Sequence, residues 1–205
     1  MLSVTRASAT SISSDDSMNI KTFFGLTVVG TLFLSCQSNT YQIDGFVHDF
    51  KDGDTICMHD ESVSNRSIAI TQVENGKFSF AGETGSTMFC HIYPQNRPES
   101  RVSFFLEPAR ITVELSLAPE RNRVSGTTIN NAWQQLNDST RQLGQEIARI
   151  VQLPVSDSAT QQQRVRMVDS LHRRISDCIL NTASRNRDNP LGQYIEQNYK
   201  APEFK

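Results

Sequence analysis

The hydrophobic periodicity of this chain changes once, near residue 127, and the change predicts two kinds of structure. Before it, short runs of alternating apolar and polar residues are separated by Gly, Pro, Asn and Asp. Such runs are typical of half-buried β-strands joined by turns. After it, apolar residues recur at steps of three and four, which predicts amphipathic helices. We therefore expect an all-β domain over residues 41–126 and a helical part over residues 127–205.

About seven runs in the first part predict antiparallel strands, and each has one apolar face. Strands of this kind bury their apolar faces in a small sandwich or an open barrel. Asp-Gly at 52–53 and Asn-Gly at 75–76 favour tight turns, which predicts hairpins that join residues 42–49 to 55–59 and residues 68–73 to 77–82. Shared faces are predicted for Ile68 with Ile70, for Phe78 with Phe80, and for Ile111 with Val113 and Leu115.

The second part predicts an antiparallel helical hairpin followed by a short third helix. Pro154 ends the first helix, and the capping residues of "SDSAT" at 156–160 begin the second. Helices joined by so short a connection pack antiparallel. Asn189 and Pro190 are typical of the start of another helix. The predicted apolar stripes comprise Ile129, Trp133, Leu136, Leu143, Ile147 and Ile150 on the first helix, and Val165, Val168, Leu171, Ile175 and Ile179 on the second.

The residues before the β domain are typical of an export signal. From Met18, a short segment that carries Lys21 precedes an apolar run ending at Leu34. The run has about a dozen residues, whereas a helix that spans a membrane needs roughly 20. We therefore predict that residues 18–35 are a signal peptide. We also predict that translation begins at Met18 and that residues 1–17 precede the true start; an unusually long first region of the signal is the alternative.

Cys36 follows this run at a site that resembles the cleavage site of a bacterial lipoprotein signal. Leu34 and Ser35 suit that pattern, while Phe33 stands where Leu is usual. The resemblance implies that Cys36 is lipidated as the mature N-terminus and that residues 36–40 form a tether. Two or more acyl chains anchor a protein stably. The alternative is an ordinary secretory signal that is cut near Cys36. Because no acidic cluster follows the cysteine, we expect a periplasm-facing anchor, in the outer membrane.

Four segments of the β part and the first helix occur in a characteristic order: "YQIDGFVHDFKDGDTICM", "NGKFSFAGE", "FFLEPARITVEL" and "VSGTTINNAWQQL". In this order they resemble the DUF4369 domain, a β-rich N-terminal module of envelope lipoproteins of Bacteroidota. The resemblance covers most of residues 41–136. Ala109 is a departure, because the family usually has Gly after Glu-Pro.

In many relatives this module and a helical hairpin precede a thioredoxin-like domain of the thiol-disulfide oxidoreductase type. That chemistry needs two cysteines within one turn, the first with a lowered pKa at a helix N-terminus. The cysteines of this chain are Cys36, Cys57, Cys90 and Cys178, and no C-x-x-C occurs among them. The redox activity therefore does not transfer, and we predict a protein that is not an enzyme and needs no cofactor.

Cys57, His59, Cys90 and His91 are the remaining candidates for a metal site or a disulfide. The first two share a strand face, while the adjacent Cys90 and His91 point to opposite faces. Zinc accepts Cys and His, but this spacing matches no known ligand pattern, so no metal site is predicted. Two interpretations remain for Cys57 and Cys90: buried free thiols, which we favour, or a disulfide formed in an oxidising compartment. Cys178 is expected in or near the helical core.

The charge of the chain gives no general reason to bind nucleic acid, since the formal net charge is −2. Arginines between residues 164 and 174 interleave with Asp169 and Asp177, which is typical of a solvated helix face. We expect a lipid-anchored, non-catalytic envelope protein whose β domain binds or docks against an unidentified protein partner. The alternative is the N-terminal part of a periplasmic thiol-disulfide oxidoreductase that lacks its thioredoxin domain. A third hypothesis places a small ligand in the mouth of the β domain.

Overall fold

The computed structural model describes residues 39–62 and 67–199, which form eight strands followed by three helices. The strands are β1 (Thr40–His48), β2 (Thr55–Asp60), β3 (Ser67–Gln72), β4 (Lys77–Glu83), β5 (Met88–Pro94), β6 (Val102–Leu106), β7 (Arg110–Ser116) and β8 (Arg123–Ser125). The helices are α1 (Thr128–Gln152), α2 (Ser158–Arg185) and α3 (Pro190–Asn198). The predicted signal peptide and its Cys36 lie outside the described residues.

The strands form two four-stranded sheets, and the sandwich form of the predicted fold is confirmed. The first sheet has the order β4-β1-β7-β8, and the second has the order β3-β2-β5-β6. Every pair is antiparallel except β1 with β7, which run parallel. The short strand β8 is one more than the seven predicted. The sheets are not closed into a barrel, so each keeps two edges.

Both predicted hairpins are wrong, although the chain does reverse at both predicted turns. β1 and β2 belong to different sheets, and so do β3 and β4. At the second turn Asn75 and Gly76 have φ values of 51° and 72°, as a type I′ turn requires. Only one isolated bridge, Glu74 to Lys77, follows from it. A turn specifies a local reversal, whereas the strand's partner depends on which pairing buries its apolar face. The chain therefore crosses between sheets at each turn.

The core lies between the two sheets and confirms most of the predicted faces. Phe78 and Phe80 are buried together, and the three predicted β7 residues are fully buried. Ile68 and Ile70 share a face as predicted, but that face is exposed, at 41% and 62%. They lie on the edge strand β3, whose Ala69 packs against the core instead. The core also contains Ile43, Ile56, Met58, Cys90, Ile92, Phe104 and Leu106.

One close approach explains the glycine in the Ile-x-Gly segment of β1. Gly45 pairs with Phe78 of β4, and the Phe78 ring lies across the glycine. A Cβ atom at residue 45 would overlap that ring. A cross-strand aromatic ring thus fills the space that a side chain would otherwise occupy.

The helices follow the predicted plan with one exception. The N-terminal half of α1 faces the C-terminal half of α2, so the hairpin is antiparallel. Asp157 caps α2, and Asn189 caps α3. Val165 is wrong as a core residue: it is 47% exposed, although the neighbouring Arg164 hydrogen-bonds the oxygens of Val151 and Leu153 at the end of α1. A second apolar cluster within the hairpin contains Leu143, Ile150 and Leu171. None of the described helices is both long enough and apolar enough to span a membrane.

Candidate binding site on the second sheet

A row of four polar residues runs straight across the outer face of the second sheet. His59 of β2 pairs with Ser67 of β3 on one side and with His91 of β5 on the other. His91 in turn pairs with Ser103 of β6. Side chains at such opposed positions have Cβ atoms about 5 Å apart. The register therefore brings together one residue from each of the four strands, and we call this set the polar row.

His91 is the most buried ionisable member of the polar row. Its Nδ1 lies 2.9 Å from Oγ of Ser103, and its Nε2 lies 3.9 Å from Oε1 of Glu61. Only 12% of the side chain is exposed. Burial, with smaller effects from Arg101 and His59, lowers the pKa of His91 to about 4. The ring is therefore neutral at pH 7.

Aromatic side chains cover one side of the polar row. Phe89 stacks on Tyr194 of α3 with ring centroids 4.1 Å apart, and Phe105 and Trp133 meet both rings edge-on. The indole Nε1–H of Trp133 donates to the backbone oxygen of Ser103 at 2.9 Å. Trp133 is buried, as the prediction of a core residue required. Helices α1 and α3 thus close this end of the outer face.

Glu61 lies at the same covered end. Burial, followed by the nearby negative charge of Glu61, raises the pKa of Tyr194 to about 12. Burial and the same carboxylate also raise the pKa of Tyr199. Both phenols are therefore neutral at physiological pH. Glu61, whose side chain is 48% exposed, thus lies near His91 and two tyrosines on the helix side of the polar row.

On its other side the polar row borders an open concavity of about 370 Å³. Its lining residues are His59, Ser67, His91, Tyr93, Pro98 and Arg101. The side chains of His59, Tyr93 and Arg101 make no hydrogen bond or ion pair with another residue of 39–62 or 67–199. Donor groups therefore face this space without partners from the described part of the chain.

The cysteine and histidine candidates separate onto the two faces of the second sheet. Cys57 pairs with Tyr93 on the outer face, whereas Cys90 belongs to the core. Three strand positions separate them, or about 10 Å, and a disulfide requires Cα atoms within about 7 Å. Both thiols are free, so the disulfide interpretation is wrong. Burial and the charge of Asp60 raise the pKa of Cys90 to about 12. Among the described residues, no three potential ligands are grouped around a common metal position.

The segment "VSGTTINNAWQQL" holds α1 against the free edge of β6. Phe105 N–H donates to Oδ1 of the fully buried Asn130, and Asn130 Nδ2–H donates to the oxygen of Phe105, both at 2.8 Å. Thr127 caps the helix by accepting from Asn130 N–H at 3.1 Å. Gly126 has a φ of 109°, and a Cβ there would lie 2.6 Å from the oxygen of Arg110. These residues therefore have a structural role: they satisfy and cover an edge strand.

His59 and His91 are candidate residues from the sequence alone, but the site that they form together was not predicted. Their pairing depends on the register between β2 and β5, which no turn between them specifies. Ser67, Ser103 and Arg101 carried no signal by themselves. His91 alternates with the apolar Cys90 and Ile92 along the strand. This alternation was the one feature of the sequence that indicated an outward-facing position for His91.

Comparison with known protein families finds one match. No protein of curated function matches the chain. Residues 41–133 match the family described as "Domain of unknown function (DUF4369)". The matched residues run from β1 into α1 and include the whole polar row and the Asn130 contact with β6. The chain thus contains a DUF4369 domain over residues 41–133.

Proposed function

We propose that this protein is a lipid-anchored component of the cell envelope whose DUF4369 domain is a non-catalytic binding module. Its partner docks on the outer face of the second sheet, beyond the part covered by α1 and α3. The observation that carries the proposal is this uncovered face, on which the polar row lies beside two exposed isoleucines. The N-terminal signal and the resemblance at Cys36 support the lipid anchor.

The edge strand β3 supports docking by an extended segment of an envelope protein. Ile68 and Ile70 project from this strand into solvent, and no described strand lies beyond it in the sheet. Val73 N–H donates to the oxygen of Asp54 on the β2 side, at 2.9 Å. Because hydrogen-bonding direction alternates along an antiparallel strand, the backbone groups of Ile70 and Gln72 face the open edge. An extended peptide binds such an edge through its main chain.

The cysteine geometry supports a role other than thiol-disulfide exchange. Cys57 and Cys90 lie on opposite faces of the sheet, and burial raises the pKa of both thiols. A reactive cysteine instead needs a lowered pKa and access to its partner. The two thiols therefore act as small apolar side chains.

Site-specific photocrosslinking in living cells tests the docking face. A photoreactive residue at Ile70 is expected to give one discrete adduct with an envelope protein. The matched control places the same residue at Glu114, an exposed position on the outer face of the first sheet. Ile70→Asp, introduced with the crosslinker at Ile68, should abolish the adduct because it adds charge to the apolar edge. The same adducts from Ile70 and Glu114, or none from Ile70, would overturn the proposal.

A second candidate, the N-terminal part of a thiol-disulfide oxidoreductase, is favoured by the free end of the helical hairpin. Apolar side chains are exposed there on both helices and the loop: Val151, Leu153, Val155, Val165 and Met167. An exposed cluster of this kind is typical of a surface that another domain covers. The test is the DNA after the codon for Lys205. A thioredoxin-like reading frame with C-x-x-C would support this candidate, and intergenic sequence alone would exclude it.

A further inference from the structure

The concavity beside the polar row is lined by hydrogen-bond donors rather than by acids. Arg101 offers up to five N–H groups, and Tyr93 and Ser67 each offer a hydroxyl. His59 adds a ring N–H. None of the described residues that line this space is Asp or Glu. The chemistry of the lining therefore favours a ligand that accepts hydrogen bonds and carries negative charge.

The charges around the concavity also favour a negatively charged ligand. The positive charge of Arg101 contributes to the lowered pKa of His91, so it acts on the polar row. Its guanidinium forms no ion pair with any described carboxylate. Glu61, the acid that contacts His91, lies on the helix side of the row, beside Tyr194. The arginine therefore lines the open space without a salt bridge to any described acid.

The volume of the concavity limits the size of the ligand that it can hold. Its volume of about 370 Å³ lies at the lower end of the range for small-molecule sites, roughly 300–1,000 Å³. A carboxylate with a short stem fits this volume. Planar carboxylates pair with arginine through two parallel hydrogen bonds. His59 and Tyr93 line the same space and offer further donors.

We propose that this concavity is a carboxylate-binding site, in which Arg101 forms the ion pair and His59 and Tyr93 donate further hydrogen bonds. The inference rests on the proposed function, because it specifies the chemistry that the docking face recognises. The carboxylate is either carried by the segment that docks along β3 or belongs to a separate small molecule. In both cases the recognised group is the same.

Titration of the protein with succinate, followed by NMR of the histidine rings, tests the site directly. The chain has four histidines, of which His59 and His91 line the concavity. Their ring signals should move saturably, with a Kd of about a millimolar, while those of His48 and His172 stay fixed. The pH is held constant, and chloride at equal ionic strength is the reference.

Arg101→Gln should raise the succinate Kd by at least about tenfold, since it removes the ion pair. The control is Arg121→Gln at an exposed arginine away from the concavity, and it should bind as the wild type does. No movement of the His59 signal at tens of millimolar succinate would overturn the inference. Equal affinity of the Arg101→Gln and wild-type proteins would overturn it too.

The photocrosslinking experiment keeps this inference separate from the proposed function. An adduct at Ile70 without any succinate response would leave the docking face intact and reject the carboxylate site. When succinate does bind, its effect on the adduct identifies the source of the carboxylate. If succinate reduces the yield of the Ile70 adduct, the carboxylate is carried by the docked segment. If the yield is unchanged, the carboxylate belongs to a separate small molecule.

Discussion

The side-chain amide of Asn130 hydrogen-bonds both backbone groups of Phe105, each at 2.8 Å, in place of a strand that would continue the second sheet. Asn130→Ala leaves the N–H and the carbonyl of Phe105 buried without partners. Each such group costs about 1–3 kcal/mol. We expect the free energy of unfolding to fall by about 2–4 kcal/mol in urea denaturation. Asn131→Ala removes only one exposed hydrogen bond, which Gly126 N–H donates to Oδ1 of Asn131, and should cost about 1 kcal/mol or less. Equal losses in the two variants would contradict the role assigned to Asn130.

Two glycine substitutions should change stability in opposite directions. Gly126→Ala places a methyl group 2.6 Å from the oxygen of Arg110, at a φ of 109° that side chains rarely adopt. It should lower the free energy of unfolding by about 1–3 kcal/mol. Gly144→Ala, within α1 and with no atom within 4 Å of the new methyl group, should raise it by about 0.5–1 kcal/mol. Thermal unfolding of both variants measures the difference, and a stabilised Gly126→Ala would refute the close approach.

His91 makes stability depend on pH in a defined window. Its pKa is about 4 in the folded protein against 6.5 for the free side chain, so the unfolded chain binds this proton more readily. The contribution of the neutral, buried His91 ring to the free energy of unfolding is fully present above pH 6.5. It falls as the pH drops and is lost below pH 4. The loss is at most roughly 3 kcal/mol. His91→Asn should remove this part of the dependence between pH 6.5 and 4. Parallel stability curves for the variant and the wild type would reject the buried neutral imidazole.

The three cysteines of the described chain should differ in reactivity but not in oxidation state. Cys57 and Cys90 are buried and Cys178 is half-buried. We expect a thiol reagent to modify Cys178 first in the native protein, and Cys57 and Cys90 only slowly. After denaturation without a reductant, peptide mass spectrometry should find all three alkylated. A peptide pair linked through Cys57 and Cys90 would contradict the separation of their faces.

Local patterns predicted the elements well because each depends on neighbouring residues. The helix caps at Asp157 and Asn189 follow from side chains that accept hydrogen bonds from their own first turn. The type I′ geometry at Asn75 and Gly76 likewise follows from two residues that tolerate positive φ. These features were confirmed for that reason.

Pairing between strands could not be predicted, because it depends on distant residues. β3 pairs with β2 instead of forming the predicted hairpin with β4. Ile68 and Ile70 are therefore exposed, although their alternation indicated a buried face. The polar row depends on the same long-range register: β2 and β5, which β3 and β4 separate in the sequence, bring His59 and His91 together. The candidate site was therefore accessible from sequence only as isolated residues.

The intact mass of the native protein, extracted from its own cell envelope, tests the proposed function most directly. The expected mass is that of residues 36–205 plus acyl chains, and the Cys36→Ser protein should lose the acyl mass and leave the membrane fraction. A mass greater by about 100 residues, the size of a further domain, would contradict the account in favour of the oxidoreductase. An unlipidated mass would contradict the anchor at Cys36.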